Sequence, residues 1–134
     1  MKNVFQFRST DFNCTVSKDY FLNPDSYGDD VAEWLIERLG EVGIRSTSAP
    51  DQEDFGWFFT FLVEEIEHAV VLGFQPNDRE LGDRWIGSVE RHFGLVRSIL
   101  GRRNQDILPE SIEALDSILR KANEIEFIGW FDSK

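Results

Sequence analysis

The sequence predicts an α+β domain in which one antiparallel sheet of five or six strands carries two or three helices packed on one face. Three observations lead there. The stretch from Trp57 to Phe74 is dense in aromatic and β-branched residues, as central strands are. Two segments, Val31 to Val42 and Ile112 to Ala122, space their apolar residues three and four apart, as helices with one buried stripe do. Strands follow strands in the reading below, so the regular βαβ alternation of a parallel sheet is missing. With 134 residues the chain provides one domain, 1–134, since a domain of ordinary size takes roughly 100–200 residues.

Phe5 and Phe7 alternate with polar neighbours, and Phe12, Cys14 and Val16 do so again with the opposite parity. This predicts two strand pieces separated by a turn or bulge near Ser9-Thr10. Asn23-Pro24-Asp25-Ser26-Tyr27-Gly28 has turn chemistry throughout. The first helix then opens on Asp30-x-x-Glu33, a variant of the capping box, and runs to Gly43 with Val31, Trp34, Leu35, Leu39 and Val42 on its stripe. Ile44 to Thr47 reads as a short strand, and Ser48 to Gln52 as a loop. Between Trp57 and Phe74 a hairpin reversing near Glu64 to Glu67 is the preferred reading. A helix through Phe58, Leu62, Ile66, Ala69 and Gly73 competes with it, because no Asn-Gly or Asp-Gly marks the turn. Arg84 to Arg91 reads as a further strand. A short helix over Leu95, Val96, Ile99 and Leu100 precedes a longer one that opens at Pro109, where a missing N–H costs little. Glu110 and Glu113 in its first turn and Arg120 and Lys121 in its last match the helix dipole. Ile125, Phe127 and Phe131 form a closing strand.

Charge narrows the partners. The formal net charge is −11, and the excess lies in residues 1–67, where acids outnumber bases nearly three to one. A surface of that sign repels phosphate, so nucleic acid is excluded as the expected partner. No apolar run approaches the roughly 20 residues that span a bilayer, and the first residues lack the apolar core of a secretory signal. A single cysteine, Cys14, forbids an intrachain disulfide. These features predict a cytoplasmic protein, monomeric or homodimeric.

Catalytic candidates are few. Glu65-x-x-His68 has the spacing of carboxylate-bridged metal sites on helices, but that chemistry needs the motif twice and the second copy is missing. Cys14 with His68 or His92 would be a nucleophile and base, yet a lone cysteine alternating with Phe12 and Val16 reads as packing. No glycine-rich loop carries Walker or dinucleotide spacing, so no cofactor is expected. The most unusual string is Glu53-Asp54-Phe55-Gly56-Trp57. Glu53 and Asp54 beside Trp57 would hold a cationic partner against an aromatic wall; the competing reading has Asp54 in a turn, Gly56 at a bulge and Trp57 entering the core.

With this string, the later Arg84-Trp85-Ile86 strand and its order of elements, the chain resembles a group of small bacterial proteins in which an acidic pair followed by aromatic-Gly-Trp enters a central hairpin. Similar α+β domains occur among immunity proteins of polymorphic-toxin and contact-dependent systems. The resemblance implies a cytosolic, non-enzymatic module that binds a basic protein, and it assigns no residue a role. The alternative is a small-molecule binder or small enzyme using Glu53, Asp54 and His68 around an aromatic pocket.

Overall fold

The computed structural model describes residues 1–80, 82–91 and 106–133. Strands β1 (Lys2–Arg8), β2 (Asp51–Glu53), β3 (Gly56–Val63), β4 (Ile66–Asp78), β5 (Gly82–Arg91) and β6 (Glu126–Asp132) form one sheet, in the order β2-β3-β4-β5-β1-β6. Every neighbouring pair is antiparallel. With helices α1 (Asp29–Glu41) and α2 (Pro109–Lys121) the described residues make an α+β fold, as the sequence predicts. The helix expected over Leu95 to Leu100 lies outside the described residues.

Alternation decides which side of each strand is buried. Phe5 and Phe7 on β1 stand beside Gly87 and Trp85 on β5, and Trp85 stands beside Phe74 on β4. Phe59 and Phe61 on β3 face Val70 and His68 on β4 in the same way. These side chains join Val31, Leu35 and Leu39 of α1 and Leu115, Ile118 and Leu119 of α2 in one buried cluster. Each large apolar side chain so buried contributes about 2 kcal/mol relative to exposure.

The hairpin reading of Trp57 to Phe74 holds, and the helical one does not. Val63 pairs with Ile66, leaving Glu64 and Glu65 as a two-residue loop with φ of 52° and 64°. Both residues are left-handed, the signature of a type I′ turn, whose twist matches the flanking strands. α1 ends as expected at Gly43, where Ile44 N–H reaches Leu39 O at 2.9 Å and Gly43 N–H reaches Gly40 O at 3.1 Å. This is the double bond of a Schellman cap, with Gly43 at φ 84°.

Four local expectations are corrected, the first being the loop expected over Ser48 to Gln52, whose last two residues, Asp51 and Gln52, begin β2 and pair with Phe58 and Trp57. Phe12, Cys14 and Val16 form no strand: the Asn13 side-chain oxygen accepts from Val16 N–H at 3.0 Å, and its amide donates to Val16 O at 2.7 Å. That ring folds the chain locally, a competition with ladders that Asn often wins. Phe12 still packs edge-on to Trp85 at 6.2 Å, and Cys14 is half-buried against the core. The capping box is not made, because Asp30 accepts from Asn13 N–H at 2.7 Å and from Val31 N–H at 3.0 Å. Ile44 to Thr47 gives a single bridge, Ser46 to Phe61, flanked by Thr47 N–H to Thr60 O at 2.8 Å.

His68 ties α2 to the sheet. It is fully buried and stacks on Phe61, and its Nε2 accepts from Leu108 N–H at 3.1 Å. Nδ1 therefore carries the proton and donates it to Ile66 O, also at 3.1 Å. Glu65, in the exposed turn, does not share its environment.

Two outcomes follow from these contacts. Replacing Glu64-Glu65 by Asn-Gly removes a left-handed penalty and should raise stability by about 1 kcal/mol in urea unfolding. Burial holds the His68 imidazole below its ordinary value of 6.5. The unfolded chain thus takes up a proton the fold refuses, so its contribution is full above that value and lost as pH falls below it. His68→Leu should flatten this part of the stability profile between pH 7.5 and 5, and cost about 1–3 kcal/mol at pH 7.5 by orphaning Leu108 N–H. Identical profiles for the two proteins would contradict the assignment.

Candidate functional site

The hairpin between β2 and β3 is tight, with Glu53 paired to Gly56 and Asp54-Phe55 as its loop. Gly56 sits at φ 133°, and a Cβ there would lie 2.3 Å from Leu72 O. Only glycine allows this descent of the hairpin onto β4. Beside it, the buried Gln52 uses its whole amide. Its oxygen accepts from Leu22 N–H at 2.5 Å and Asn23 N–H at 3.1 Å; its nitrogen donates to Asn23 O at 3.0 Å and Ser26 O at 3.1 Å. Trp57 Nε1 adds a bond to Ser26 O at 2.9 Å. The loop from Leu22 to Ser26 is thereby strapped across the end of the sheet.

The other end of this loop is fixed by Asp29, the first residue of α1, whose buried carboxylate accepts from Lys18 Nζ at 3.0 Å and from the Tyr20 hydroxyl. The bond to Asp29 raises both the Lys18 ammonium and the Tyr20 phenol above their ordinary values. Lys18 is committed to Asp29 and remains charged.

Between the strapped loop and the β2–β3 turn lies a cavity of about 450 Å³. Val4, Val71, Gly73, Ile86 and Ser88, which alternate with the core positions, line its floor from the opposite face of the sheet, and Leu72 and Phe74 of β4 line the cavity as well. Asp25, Tyr27, Asp54 and Phe55 form its wall. Among the described residues no Lys, Arg or His lines it. Asp25 and Asp54 are exposed and make no ion pair among the described residues. A Cβ at Gly73 would meet nothing within 4 Å.

Of the residues singled out by sequence, Asp54 stands on the cavity wall and Glu53 is exposed beside it, outside the lining. Trp57 is only 4% exposed: it pairs with Leu72 on the core face and packs on Phe21 at 5.2 Å. Trp57 is not in the lining; Phe55, Tyr27 and Phe74 are the aromatic residues that line the cavity. His68 is spent on backbone contacts in the core and does not join the carboxylates. Sequence reasoning missed Gln52, Asp25, Tyr27 and Val4, which reach this place from separate segments.

A second cavity, of about 320 Å³, lies where the ends of α1 and α2 meet. There Arg38 bonds Glu41 at 2.9 Å and Glu124 at 3.0 Å, and Glu124 also accepts from Trp34 Nε1 at 3.1 Å. The backbone N–H of Glu124, then Arg38 and Trp34, hold its carboxyl below the ordinary range. Arg38, Glu41 and Glu124 are ion-paired there, whereas Asp25 and Asp54 at the first cavity make no ion pair among the described residues. Among the described residues no three His, Cys, Asp or Glu side chains gather to hold a metal ion, and no helix is long and apolar enough to cross a membrane. No protein-family model, curated protein or solved structure matches this chain.

The two glycines of the site should respond oppositely to a methyl group. Gly56→Ala meets a carbonyl and a positive φ, and should cost about 3 kcal/mol or more. Gly73→Ala enters open space, and should leave stability unchanged or raise it by up to about 1 kcal/mol. Thermal unfolding of both variants checks this, and equal losses would contradict it.

Proposed function

We propose that this protein is a non-enzymatic binding module that masks a basic surface of a protein partner, the immunity-type role its resemblance implies. The observation that carries this reading is a cavity whose charged wall residues, among the described residues, are Asp25 and Asp54, with Phe55 at 51% exposure on the same wall. Exposed apolar anchors beside unpaired like charge are what a charge-complementary interface requires. The net charge of −11 extends the same field over the molecule and speeds encounter with a basic partner. In this reading residues 1–134 act as one cytoplasmic domain, with both helices on the core side and the opposite face left for the partner. Membership of α1 and α2 side chains in the core cluster supports that placement.

Used as bait in its native host at low salt, the protein should retain a basic protein and release it as salt rises. Asp25→Lys with Asp54→Lys should slow association at least about tenfold while leaving the unfolding temperature within a few degrees. Retention of no partner, or of one indifferent to salt and to these reversals, would overturn the reading. Weight would then pass to the cavity as a small-molecule site, because its volume falls within the roughly 300–1,000 Å³ usual for ligand pockets.

A further inference from the structure

Resting on that reading, we propose that the cavity is an anchor site for a single arginine side chain of the basic partner. The floor and the wall call for different halves of that side chain. Val4, Val71 and Ile86, with bare backbone at Gly73, offer an aliphatic bed for the stem. Asp25 and Asp54 stand at the wall, and Ser88 adds a hydroxyl on the floor.

A guanidinium is the head that fits this set. Its five donors in a planar fork are enough for two carboxylates and a hydroxyl, and it is desolvated at lower cost than an ammonium. An anion would be repelled by both aspartates. An apolar side chain would cover the floor and strip water from the two carboxylates without replacing it. The volume of about 450 Å³ also leaves room for main chain on either side of the arginine.

The walls are held before the ligand arrives. Gln52 fixes the loop that carries Asp25, and the close approach of Gly56 to Leu72 fixes the turn that carries Asp54. A site built in advance loses little ordering entropy on binding.

The test uses the full chain and three capped amino acids: N-acetyl-arginine methylamide, its lysine counterpart, and its neutral citrulline isostere. Backbone amide shifts are followed by NMR. Arginine should saturate with a Kd on the order of 1–10 mM, as expected of so small a ligand, with shifts centred on Gly73, Ser88 and Asp54. Lysine should bind at least about fivefold more weakly, and citrulline should not saturate. Gly73→Leu fills the cavity without changing charge and should abolish saturation, as should Asp25→Asn with Asp54→Asn. Amide dispersion of each variant confirms that it is folded.

Linear, unsaturable shifts, or arginine binding unchanged by Gly73→Leu, would overturn the anchor. If the bait then still captures a basic protein released by salt and by charge reversal, the anchor alone has failed. Saturation by arginine with no partner captured would uphold the site as a guanidinium pocket and overturn the protein-masking role.

Discussion

The fold depends on β1 being held along both edges, by β5 through Val4 to Phe7 and by β6 through Lys2 to Arg8. One strand near the start of the chain thus lies between two that come much later. Its pleat sends Phe5 and Phe7 into the core and Val4 and Gln6 to the other face. The inward pair meets Trp85 and Trp130, joining the middle of the sheet to its last strand. The outward Val4 becomes floor for the cavity. A one-residue slip of β1 would exchange these roles and put two phenylalanines on the outer face, so core and site share one register. Because these pairings join distant parts of the chain, they raise its contact order, which slows folding.

A second constraint converts that face into a site. Without Gln52, the loop from Leu22 to Ser26 would have no fixed height above the sheet, and Asp25 no fixed distance from Asp54. Four bonds from one buried amide satisfy backbone groups that would otherwise be stranded, each at a cost of about 1–3 kcal/mol. Asp29 does the same for the start of α1 through Lys18 and Tyr20. The polar interior at this end of the molecule serves loop placement, and among the described residues it leaves Asp25 and Asp54 without an ion pair.

Much of the fold was legible because it follows from period and composition. The apolar density from Trp57 to Phe74, the two helices, the strand from Arg84 and the closing strand all appear where spacing places them, although Val42 is exposed beyond α1 and, in the closing strand, Trp130 rather than Phe131 packs on the core. What failed was decided by side chains bonding across a few residues or across the fold. Asn13 folds a segment whose alternation reads as a strand, and it draws Asp30 away from its own helix. The site was legible only at Asp54. Trp57 shows why: a strand's parity can be read, but which parity faces the core is fixed by partners far along the chain. Gln52, between two exposed acids, carries no local signal at all.

The two ends of β3 show how the acid excess becomes informative. At the Glu64 end the carboxyl shares a hydrogen bond with Glu110, which raises it above the ordinary carboxylate value. The fold therefore disfavours that charge, and the repulsion is relieved as pH falls, opposite in sign to the effect of His68. Arg45 lines the hollow there beside Glu64 and Glu65, so a cation is at hand. At the Gly56 end the cavity has two carboxylates, aliphatic side chains and the exposed Phe55, with no cation in its lining among the described residues. Uniform acidity would serve solubility alone. The acid excess thus meets a cation at one end of the strand and, among the described residues, none at the other.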